Sequence, residues 1–338
     1  MIFNRVAFLY RFFYHNKGAI KLNILFLGDL ANNLQEQLKD DFSTVEFTFT
    51  EDIVEAKKYA PTADVLATYG GQLDREIIEI AEKLKWVMVL SAGVDPLPAD
   101  LIEERNILVT NVRGIHKISM AEYAISMLLQ VYRQEKEQIK LEKEKVWNKR
   151  NVKLDEITGK TMLVLGTGAI GQEVARLAKA FRMTTYGVSR SGKDVEHFDQ
   201  CYKISELDQL LPKVDFVIAV LPSTKETAGL ITYDHFKLMQ NHAVFLNMGR
   251  GDLVTSDDII KAVRNSEIAH AVLDVFEQEP LPKDHPLWTE ENVTVTPHIS
   301  GLSPYYQQRA IEIFKHNLDV FLTGENNYIN KINISRGY

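Results

Sequence analysis

The stretch Leu165–Gly171 reads LGTGAIG and spaces Gly166, Gly168 and Gly171 as G-x-G-x-x-G. It follows the apolar run KTMLVL and opens AIGQEVARLAKAF, whose apolar residues recur at helical spacing. The three glycines permit a tight bend, close approach of the backbone to a pyrophosphate, and close packing of helix on strand. The amides and the positive dipole end at the start of the helix attract phosphate. The stretch therefore predicts a dinucleotide-binding unit, with a purely structural turn as the alternative.

The loop after the next apolar run lacks the acidic residue that usually binds a ribose hydroxyl. Ser189, Arg190 and Ser191 stand in its place, and Lys193 follows. An acid there would repel the 2′-phosphate of NADP, whereas an arginine pairs with phosphate and stacks beside adenine. The loop therefore favours NADP(H) as the cofactor. The alternative is an exposed polar loop with an incidental arginine, in a protein that uses NAD(H).

Short apolar runs alternate with helical stretches on both sides of the glycine turn. The predicted strands are LNILFLG, VEFTF, ADVLAT, WVMVL and ILVTN before it, and KTMLVLG, TTYGVS, DFVIAVLP, AVFLNMG, AHAVLDVF and VTVTP from it onward. This alternation predicts right-handed βαβ crossovers and parallel sheets. The segment PYYQQRAIEIFKHNLDVFLTG predicts one amphipathic helix that ends at Gly324.

One long helix is predicted from about Ser119 to Lys145. Its first half, MAEYAISMLLQVY, is apolar on most faces and should be buried, whereas RQEKEQIKLEKEKVWNK is highly charged. The charged half is either a solvated helix with i,i+4 ion pairs or an arm that lies on a second subunit with Trp147 at its tip.

Composition limits the class of protein. The chain has 338 residues, 45% apolar and 25% charged, which is enough for two domains with sizeable cores. A net charge of −7 disfavours nucleic-acid binding, and no apolar run reaches the length of a membrane helix. The single cysteine, Cys201, excludes an intrachain disulfide and fits the cytoplasm.

Residues 1–20 mix aromatic and basic side chains ahead of a domain that starts near Lys21. Their apolar stretch Val6–Tyr10 is followed by Arg11, and no small-residue cleavage site follows, which disfavours a secretory signal. We expect an N-terminal extension, with a helix that touches a membrane surface or a partner as the alternative.

Three chemically active residues follow predicted strands in the second half of the chain. Arg250 lies in NMGRGDLV, Glu279 in DVFEQEPLP and His298 in TVTPHISG. Because ligands bind at the carboxyl ends of parallel strands, all three can face one crevice. A histidine can donate a proton to a carbonyl oxygen, a carboxylate can fix its tautomer, and an arginine can hold a substrate carboxylate. This set suits the reduction of a 2-keto acid, although each residue alone also has an ordinary structural explanation.

With these motifs in place, the sequence resembles the D-isomer-specific 2-hydroxyacid dehydrogenase family from about Leu22 to Gly324. The matching motifs are LGTGAIG, VLPSTKETAGLI, NMGRGDLV, LDVFEQEPLP and VTPHISG. The resemblance implies an α/β protein with two parallel-sheet domains. These would be a flavodoxin-like substrate domain over residues 21–115 and 299–338, and a Rossmann dinucleotide-binding domain over residues 116–298. It also implies a cleft that closes on ligands, and a homodimer that forms through the cofactor domains and the arm near Trp147.

The resemblance also assigns residues. His298 resembles the acid/base, Glu279 its partner and Arg250 the substrate-orienting cation, and Asp274 resembles the residue that holds the nicotinamide carboxamide. The residues predicted to bind the cofactor are Gly166, Gly168, Ala169, Ile170, Gly171, Ser189, Arg190, Ser191, Leu221, Pro222, Thr227, Met248, Gly249, Asp274 and Gly301. The residues predicted to bind the substrate are Tyr69, Ala92, Gly93, Arg250 and His298. No metal site is predicted.

Differences within the family narrow the expected function. Glu279 argues against formate oxidation, because the formate enzymes that this chain resembles have glutamine at that position. The loop at Arg190 resembles the NADP-using glyoxylate and hydroxypyruvate reductases. We therefore expect an NADP(H)-preferring reductase of a small 2-keto acid. The alternatives are an NAD(H)-dependent enzyme of the lactate or phosphoglycerate type, a phosphite- or formate-type hydride-transfer enzyme, and a dinucleotide-sensing corepressor.

Overall fold

The computed structural model describes residues 22–91, 93–94, 97–148 and 153–334. The extension predicted over residues 1–20 lies outside these ranges. The chain divides into two compact units, one from Met1–Ile115 and Pro304–Tyr338 and the other from His116–Ser303. Each unit contains one parallel sheet, as the alternating pattern predicts.

The first unit has a five-stranded parallel sheet with the order β2-β1-β3-β4-β5. Its strands are β1 (Leu22–Leu27), β2 (Val45–Thr50), β3 (Val65–Thr68), β4 (Trp86–Val89) and β5 (Leu108–Asn111). Its helices are α1 (Asn32–Asp41), α2 (Ile53–Tyr59), α3 (Arg75–Ile80), α4 (Ala99–Glu104) and α11 (Tyr306–Thr323), with short 3₁₀ turns at Ala60–Thr62 and Gly70–Gln72. The strand order is that of the flavodoxin-like fold, which confirms the prediction for this part of the chain.

The C-terminal helix returns to the first sheet. Trp86 of β4 is fully buried and stacks on Phe314 and Phe321 of α11 at centroid distances of 5.6 and 5.5 Å. The Trp86 indole N–H donates to Thr110 Oγ1 at 2.9 Å, so the polar atom of this large side chain is satisfied inside the core. Gly324, with φ of 74°, ends the helix in the predicted left-handed cap.

The second unit has a seven-stranded parallel sheet with the order β12-β11-β10-β9-β6-β7-β8. Its strands are β6 (Thr161–Leu165), β7 (Thr184–Ser189), β8 (Gln200–Lys203), β9 (Phe216–Ala219), β10 (Val244–Asn247), β11 (His270–Leu273) and β12 (Val293–Val295). Counted from β6, this is the Rossmann order, and it confirms the prediction. Strand β8 was not predicted, because QCYK is short, polar and largely solvent-facing at the sheet edge.

Helices cover both faces of the second sheet. They are α5 (Lys117–Tyr132), α6 (Glu135–Lys143), α7 (Ala169–Ala180), α8 (Leu207–Leu210), α9 (Tyr233–Leu238) and α10 (Ser256–Arg264), with 3₁₀ turns at Ile204–Glu206, Leu211–Lys213, Gly251–Leu253 and Pro286–Trp288. Successive residues of β6 join different cores: Met162 and Val164 lie in one, and Leu163 and Leu165 in the other. A strand covered on both faces reads as a continuous apolar run, which is why the strands were recognisable in the sequence.

The prediction of one helix from Ser119 to Lys145 is wrong. Two helices occupy the segment, α5 and α6, and they are separated at Gln134, whose φ is 52°. The apolar α5 is packed against the core, whereas α6 buries no residue. The chain turns where the apolar surface ends, and Lys136 then donates to the carbonyl oxygen of Val293 at 2.9 Å. No glycine or proline marks the break, so the local pattern does not indicate it.

Neither a membrane-spanning helix nor a metal-binding cluster is present in residues 22–91, 93–94, 97–148 and 153–334. In these ranges, no helix has the length and the apolar character needed to span a membrane. The same residues contain no group of three or more His, Cys, Asp or Glu side chains that could hold a metal ion.

His270, at the start of β11, should make the folded protein sensitive to acid. Burial and the charge of Lys136 lower its pKa from 6.5 to about 4, and its Nε2 contacts Thr294 Oγ1 at 2.9 Å. Between pH 6.5 and 4 the unfolded chain binds this proton and the folded chain does not, so stability falls as the pH falls through that window. We expect His270 to account for up to about 3 kcal/mol of that loss.

Urea unfolding at pH 7.5 and 4.5 measures this contribution. His270→Gln keeps a polar group at the position and should lose less stability on acidification than the unaltered protein does. His316→Gln, in the other unit, is the control and should retain the full loss. An equal loss in the His270 variant and the unaltered protein would show that His270 does not contribute.

Candidate active site

The glycine turn has the geometry of a dinucleotide-binding turn. Gly166 follows β6 with φ of 112°, and a Cβ on Gly171 would lie 1.9 Å from the Gly166 carbonyl oxygen. The helix α7 can therefore approach the strand this closely only with glycine at position 171. At Gly168 an added Cβ would meet nothing within 4 Å, so this face of the turn is open to a ligand.

The start of α7 has the free amides that a phosphate group requires. Gly168 is the N-cap residue and has no side chain that would cap the first-turn amides. The Gln172 side chain donates to the carbonyl oxygen of Thr167 at 3.1 Å and so stabilises the turn. Because the amides of Ala169 and Ile170 belong to this first turn, the residues present fit the pyrophosphate of a dinucleotide.

The loop after β7 is a compact turn that is stabilised by hydrogen bonds from its backbone amides to its own serine hydroxyls. Ser189 Oγ accepts from the amide of Gly192 at 3.1 Å, and Ser191 Oγ accepts from the amide of Lys193 at 3.3 Å. Arg190 is exposed. A hydrogen bond to Thr224 and the positive charge of Arg190 both lower the pKa of Glu226, which places the Arg190 guanidinium near the loop after β9. This loop presents cations and hydroxyls at the position of the usual ribose-binding acid.

The ends of β6, β9 and β10 lie in direct contact. A Cβ on Gly166 would lie 3.1 Å from Val220, and one on Gly249 would lie 2.7 Å from the Leu221 carbonyl oxygen. Pro222 is exposed at the end of β9. Thr227 is buried and donates to the Pro222 carbonyl oxygen at 2.6 Å, so its hydroxyl shapes the loop. Met248 is likewise buried beneath this edge, with 2% of its surface exposed.

Arg250 is held by the turn after β10. The buried Asn247 accepts from the amide of Gly249 at 3.1 Å and donates to the carbonyl oxygen of Arg250 at 2.9 Å. The Arg250 side chain is exposed, and its Nη1 donates to the Gly249 carbonyl oxygen at 2.8 Å. A guanidinium has five N–H groups, so the others can bind a ligand carboxylate.

Gly251 brings Arg250 next to the loop that carries Glu279. A Cβ on Gly251 would lie 2.0 Å from the carbonyl carbon and oxygen of Phe276, so the two backbones are in direct contact. The amide of Phe276 in turn donates to Glu279 Oε1 at 3.0 Å. The contact of Gly251 with the Phe276 backbone and the hydrogen bond from Phe276 to Glu279 thus connect Arg250 to Glu279 within one unit.

Glu279 and His298 form a side-chain hydrogen bond. Glu279 Oε2 lies 2.7 Å from His298 Nδ1, while its other oxygen is bound by the Phe276 amide. The side chains of His298 and Glu279 are 52% and 35% exposed. With Nδ1 on the carboxylate, His298 Nε2 is the nitrogen available to a substrate, which is the arrangement of an acid/base histidine.

Asp274 holds the turn that carries His298. Its side chain is fully buried and accepts from Thr296 Oγ1 at 2.6 Å and from the amides of Ile299 and Ser300 at 2.9 Å each. Its carbonyl oxygen accepts from the amide of His298 at 2.9 Å. His298 has φ of 53°, a left-handed conformation that is unfavourable for a histidine by about 1–2 kcal/mol. Asp274 therefore holds the backbone of the turn that carries His298, and its predicted contact with the nicotinamide stays a prediction.

The remaining predicted residues are placed as follows. Gly301 packs on His116, since an added Cβ would lie 3.1 Å from the imidazole ring, and its carbonyl oxygen accepts from Ser119 at 3.2 Å. In the first unit, Tyr69 donates to the Asp29 carbonyl oxygen at 3.3 Å. The Gly93 carbonyl oxygen accepts from Ser91 at 3.0 Å. Ala92 lies outside the described residues.

Three residues that support the site were not singled out from the sequence. Asn247 and Gly251 flank Arg250 inside NMGRGDLV, and a polar residue at the end of a buried strand was the available signal for Asn247. Thr296 lies in the predicted VTPHISG motif, two residues before the histidine. The hydrogen bond from Thr296 to Asp274 could not be predicted, because no pattern in a single sequence indicates a contact between residues that are far apart in the chain.

Comparison with known proteins identifies the family. The model of the D-isomer specific 2-hydroxyacid dehydrogenase NAD-binding domain matches residues 125–300. A glyoxylate reductase from Thermofilum pendens is 34% identical over 267 residues, which cover 77% of this chain and 78% of that one. A D-3-phosphoglycerate dehydrogenase from Methanocaldococcus jannaschii is 34% identical over 276 residues, 80% of this chain and 52% of that one.

A solved structure agrees with these relatives. The NADPH-dependent glyoxylate/hydroxypyruvate reductase from Sinorhizobium meliloti, in complex with NADP and sulfate, has a TM-score of 0.79 and 25% identity, covering 94% of this chain and 100% of that one. The site geometry and the relatives lead to the same conclusion. The chain belongs to the D-isomer specific 2-hydroxyacid dehydrogenase family and is an NAD(P)-dependent oxidoreductase.

Proposed function

We propose that this protein is an NADP(H)-preferring reductase that converts a small 2-keto acid, of the glyoxylate or hydroxypyruvate type, to the D-2-hydroxy acid. The observation that carries the proposal is the 2.7 Å pair of His298 and Glu279, connected through Phe276 and Gly251 to Arg250. A proton donor, its carboxylate partner and a carboxylate-binding cation are the groups that this reaction needs.

The chain's residues act on the substrate as follows. Arg250 binds the substrate carboxylate and polarises the keto group. His298 Nε2 donates a proton to the keto oxygen, and Glu279 holds the imidazole in the tautomer that this requires. A nicotinamide dinucleotide, held by its pyrophosphate at the glycine turn, would supply the hydride for the keto carbon. In the first unit, we propose that Tyr69 and the backbone around Gly93 also contribute to substrate binding.

The loop after β7 supports NADP(H) as the preferred cofactor. Arg190, with the hydroxyls of Ser189 and Ser191, can bind a 2′-phosphate, and the loop Ser189–Lys193 contains no carboxylate that would repel it. The charge of Glu226 lies near enough to Arg190 for the arginine to lower its pKa.

Replacing Arg190 by alanine should remove the preference for NADPH. We expect the unaltered protein to favour NADPH over NADH at least tenfold in kcat/KM, equivalent to about 1.4 kcal/mol. Arg190→Ala should lower kcat/KM for NADPH by about tenfold and leave that for NADH nearly unchanged, since only the phosphate contact is lost. Steady-state kinetics with glyoxylate and hydroxypyruvate as acceptors measure both values.

Arg176→Ala is a matched control, because Arg176 pairs with Glu173 on the exposed side of α7. It should keep the cofactor preference. A preference for NADH in the unaltered protein would contradict the NADP(H) assignment. Turnover of neither keto acid with either cofactor would contradict the proposed substrate class.

A second substrate class has support from the relatives. The phosphoglycerate dehydrogenase from M. jannaschii is as similar over its aligned part as the glyoxylate reductase, although this chain spans about half its length. An NAD(H)-dependent enzyme of this type is therefore the alternative. Oxidation of 3-phosphoglycerate with NAD, faster than reduction of glyoxylate, would favour it.

We further propose a cytoplasmic homodimer. Cys201 has a free thiol, which fits a reducing compartment. The helix α6 buries none of its residues, and Trp147 just beyond it is 91% exposed. A large aromatic at the tip of an unpacked helix is suited to contact a second subunit. Sedimentation of the unaltered protein and of Trp147→Ala tests this assembly.

A further inference from the structure

A hydrogen-bond chain runs from helix α5 to the turn that carries His298. The Tyr123 hydroxyl lies 2.7 Å from Thr296 Oγ1, and Thr296 Oγ1 donates to Asp274 Oδ1 at 2.6 Å. A threonine hydroxyl has one hydrogen, so its donation to Asp274 leaves Thr296 as the acceptor from Tyr123. The direction of the chain is therefore fixed, from Tyr123 through Thr296 to Asp274.

The bonds at the end of this chain fix the histidine backbone. The Asp274 carboxylate holds the amides of Ile299 and Ser300, and the Asp274 carbonyl oxygen holds the amide of His298. The left-handed conformation of His298 persists only if its surroundings enforce it. Without the Thr296 bond, Asp274 Oδ1 keeps a single amide donor, and the carboxylate can rotate away from the turn.

Tyr123 is well placed for this task. Its ring lies partly buried on α5, a packed helix of the same unit, and burial raises the pKa of its phenol. The hydroxyl therefore stays protonated as a donor at neutral pH. The helix thus acts as a rigid support for a turn that is 173 residues away in the sequence.

We propose that Tyr123 and Thr296 are positioning residues for the acid/base histidine, acting through Asp274 on the turn 296–300 and so on the His298–Glu279 pair. This rests on the role of His298 in the proposed function. Small displacements of a catalytic group reduce the rate much more than they reduce stability, and a misplacement of about 1 Å can cost about 100-fold. Loss of the chain should therefore lower kcat with little effect on KM for the cofactor.

The test compares Thr296→Val, which removes the hydroxyl at constant shape, with Thr296→Ser, which keeps it. Thr296→Val should lower kcat for glyoxylate by about tenfold or more, and Thr296→Ser should stay within about twofold of the unaltered protein. Tyr123→Phe should lower kcat by about three- to tenfold, because Thr296 keeps its bond to Asp274 but loses its own support. KM for NADPH should change less than about threefold in all of them, since most of the predicted cofactor contacts, at the glycine turn and the loop at Arg190, are untouched.

Nitrogen-15 NMR of the cofactor-free protein supplies a readout that does not depend on turnover. The Nδ1–H signal of His298, assigned with a His298→Gln sample, reports its hydrogen bond to Glu279. The signal should weaken in Thr296→Val and Tyr123→Phe and return in Thr296→Ser. Tyr233→Phe is the control, because it removes a hydroxyl bonded to Glu267 and Asn265 in the same unit, and it should change neither kcat nor the signal.

Each outcome separates the two proposals. If Thr296→Val and Tyr123→Phe keep both kcat and the His298 signal, the positioning role is overturned, even where the melting temperature falls. If the valine variant does not fold, Tyr123→Phe decides by the same two measurements. If the unaltered protein reduces no 2-keto acid, the proposed function fails, and the NMR signal alone decides the positioning role.

Discussion

His298→Gln should lower kcat for glyoxylate reduction by about 10²–10⁴, the range for loss of a general acid. Glutamine can occupy the position and keep a polar contact with Glu279, but it cannot deliver a proton from its side chain at neutral pH. The backbone turn is held by Asp274 through the amides of residues 298–300, so it does not depend on the imidazole. Single-turnover and steady-state kinetics, with NADPH in excess, measure the loss.

Cofactor binding should survive this substitution, because the glycine turn and the loop at Arg190 lie at other strand ends. Titration of NADPH by fluorescence should give an affinity within about threefold of the unaltered protein, which would locate the defect in the chemical step. His316→Gln is the control, since that histidine bonds to the Asn327 carbonyl oxygen in the other unit. Undiminished kcat in His298→Gln would refute the assignment of the proton donor.

Much of the architecture was predictable because both sheets are covered on both faces. Strand β10 is buried throughout and β6 is buried from Met162 to Leu165, and a strand of this kind is a continuous apolar run. The glycine turn was predictable for a different reason. The positive φ at Gly166 and the close approach at Gly171 both require glycine. The spacing of the glycines in the sequence therefore indicates this backbone geometry directly.

The features that were not predictable depend on surroundings that the local pattern does not contain. The break at Gln134 follows from where the apolar surface beneath α5 ends, and β8 is polar because it lies at an edge. Both are consequences of packing between distant segments. Local propensity therefore predicted a longer helix and no strand.

The candidate site shows the same division. Strand ends and flanking glycines and prolines predicted where Arg250, Glu279 and His298 stand, and the structure brings Glu279 and His298 to 2.7 Å. The residues that hold them were hidden. Gly251 contacts the backbone of Phe276, and Tyr123 contacts Thr296 across 173 positions, and neither contact follows from spacing in one chain.

Arg250→Gln should lower kcat/KM for a 2-keto acid by about 10²–10³, because an exposed, preorganised cation is lost from the substrate carboxylate. The turn should survive, since Asn247 holds it through backbone atoms. Arg250→Lys restores the charge without the fork of parallel N–H groups, so it should recover only part of the loss. Arg264→Gln, which removes a surface arginine paired with Glu290, is the control and should keep full activity.

The choice of substrate separates carboxylate binding from a general loss of activity. Glycolaldehyde has a reducible carbonyl, as glyoxylate and hydroxypyruvate do, but lacks their carboxylate. If Arg250 binds the carboxylate, the unaltered protein should reduce glycolaldehyde slowly, and Arg250→Gln should lower that rate much less than it lowers the rate with glyoxylate, since only the polarisation of the carbonyl is lost. If both substrates lose activity equally, the arginine acts on the carbonyl or on the turn, and the carboxylate must be bound elsewhere. Because the two substrates share the proton transfer from His298 and the polarisation of the carbonyl, the difference between their losses measures the contribution of Arg250 to carboxylate binding.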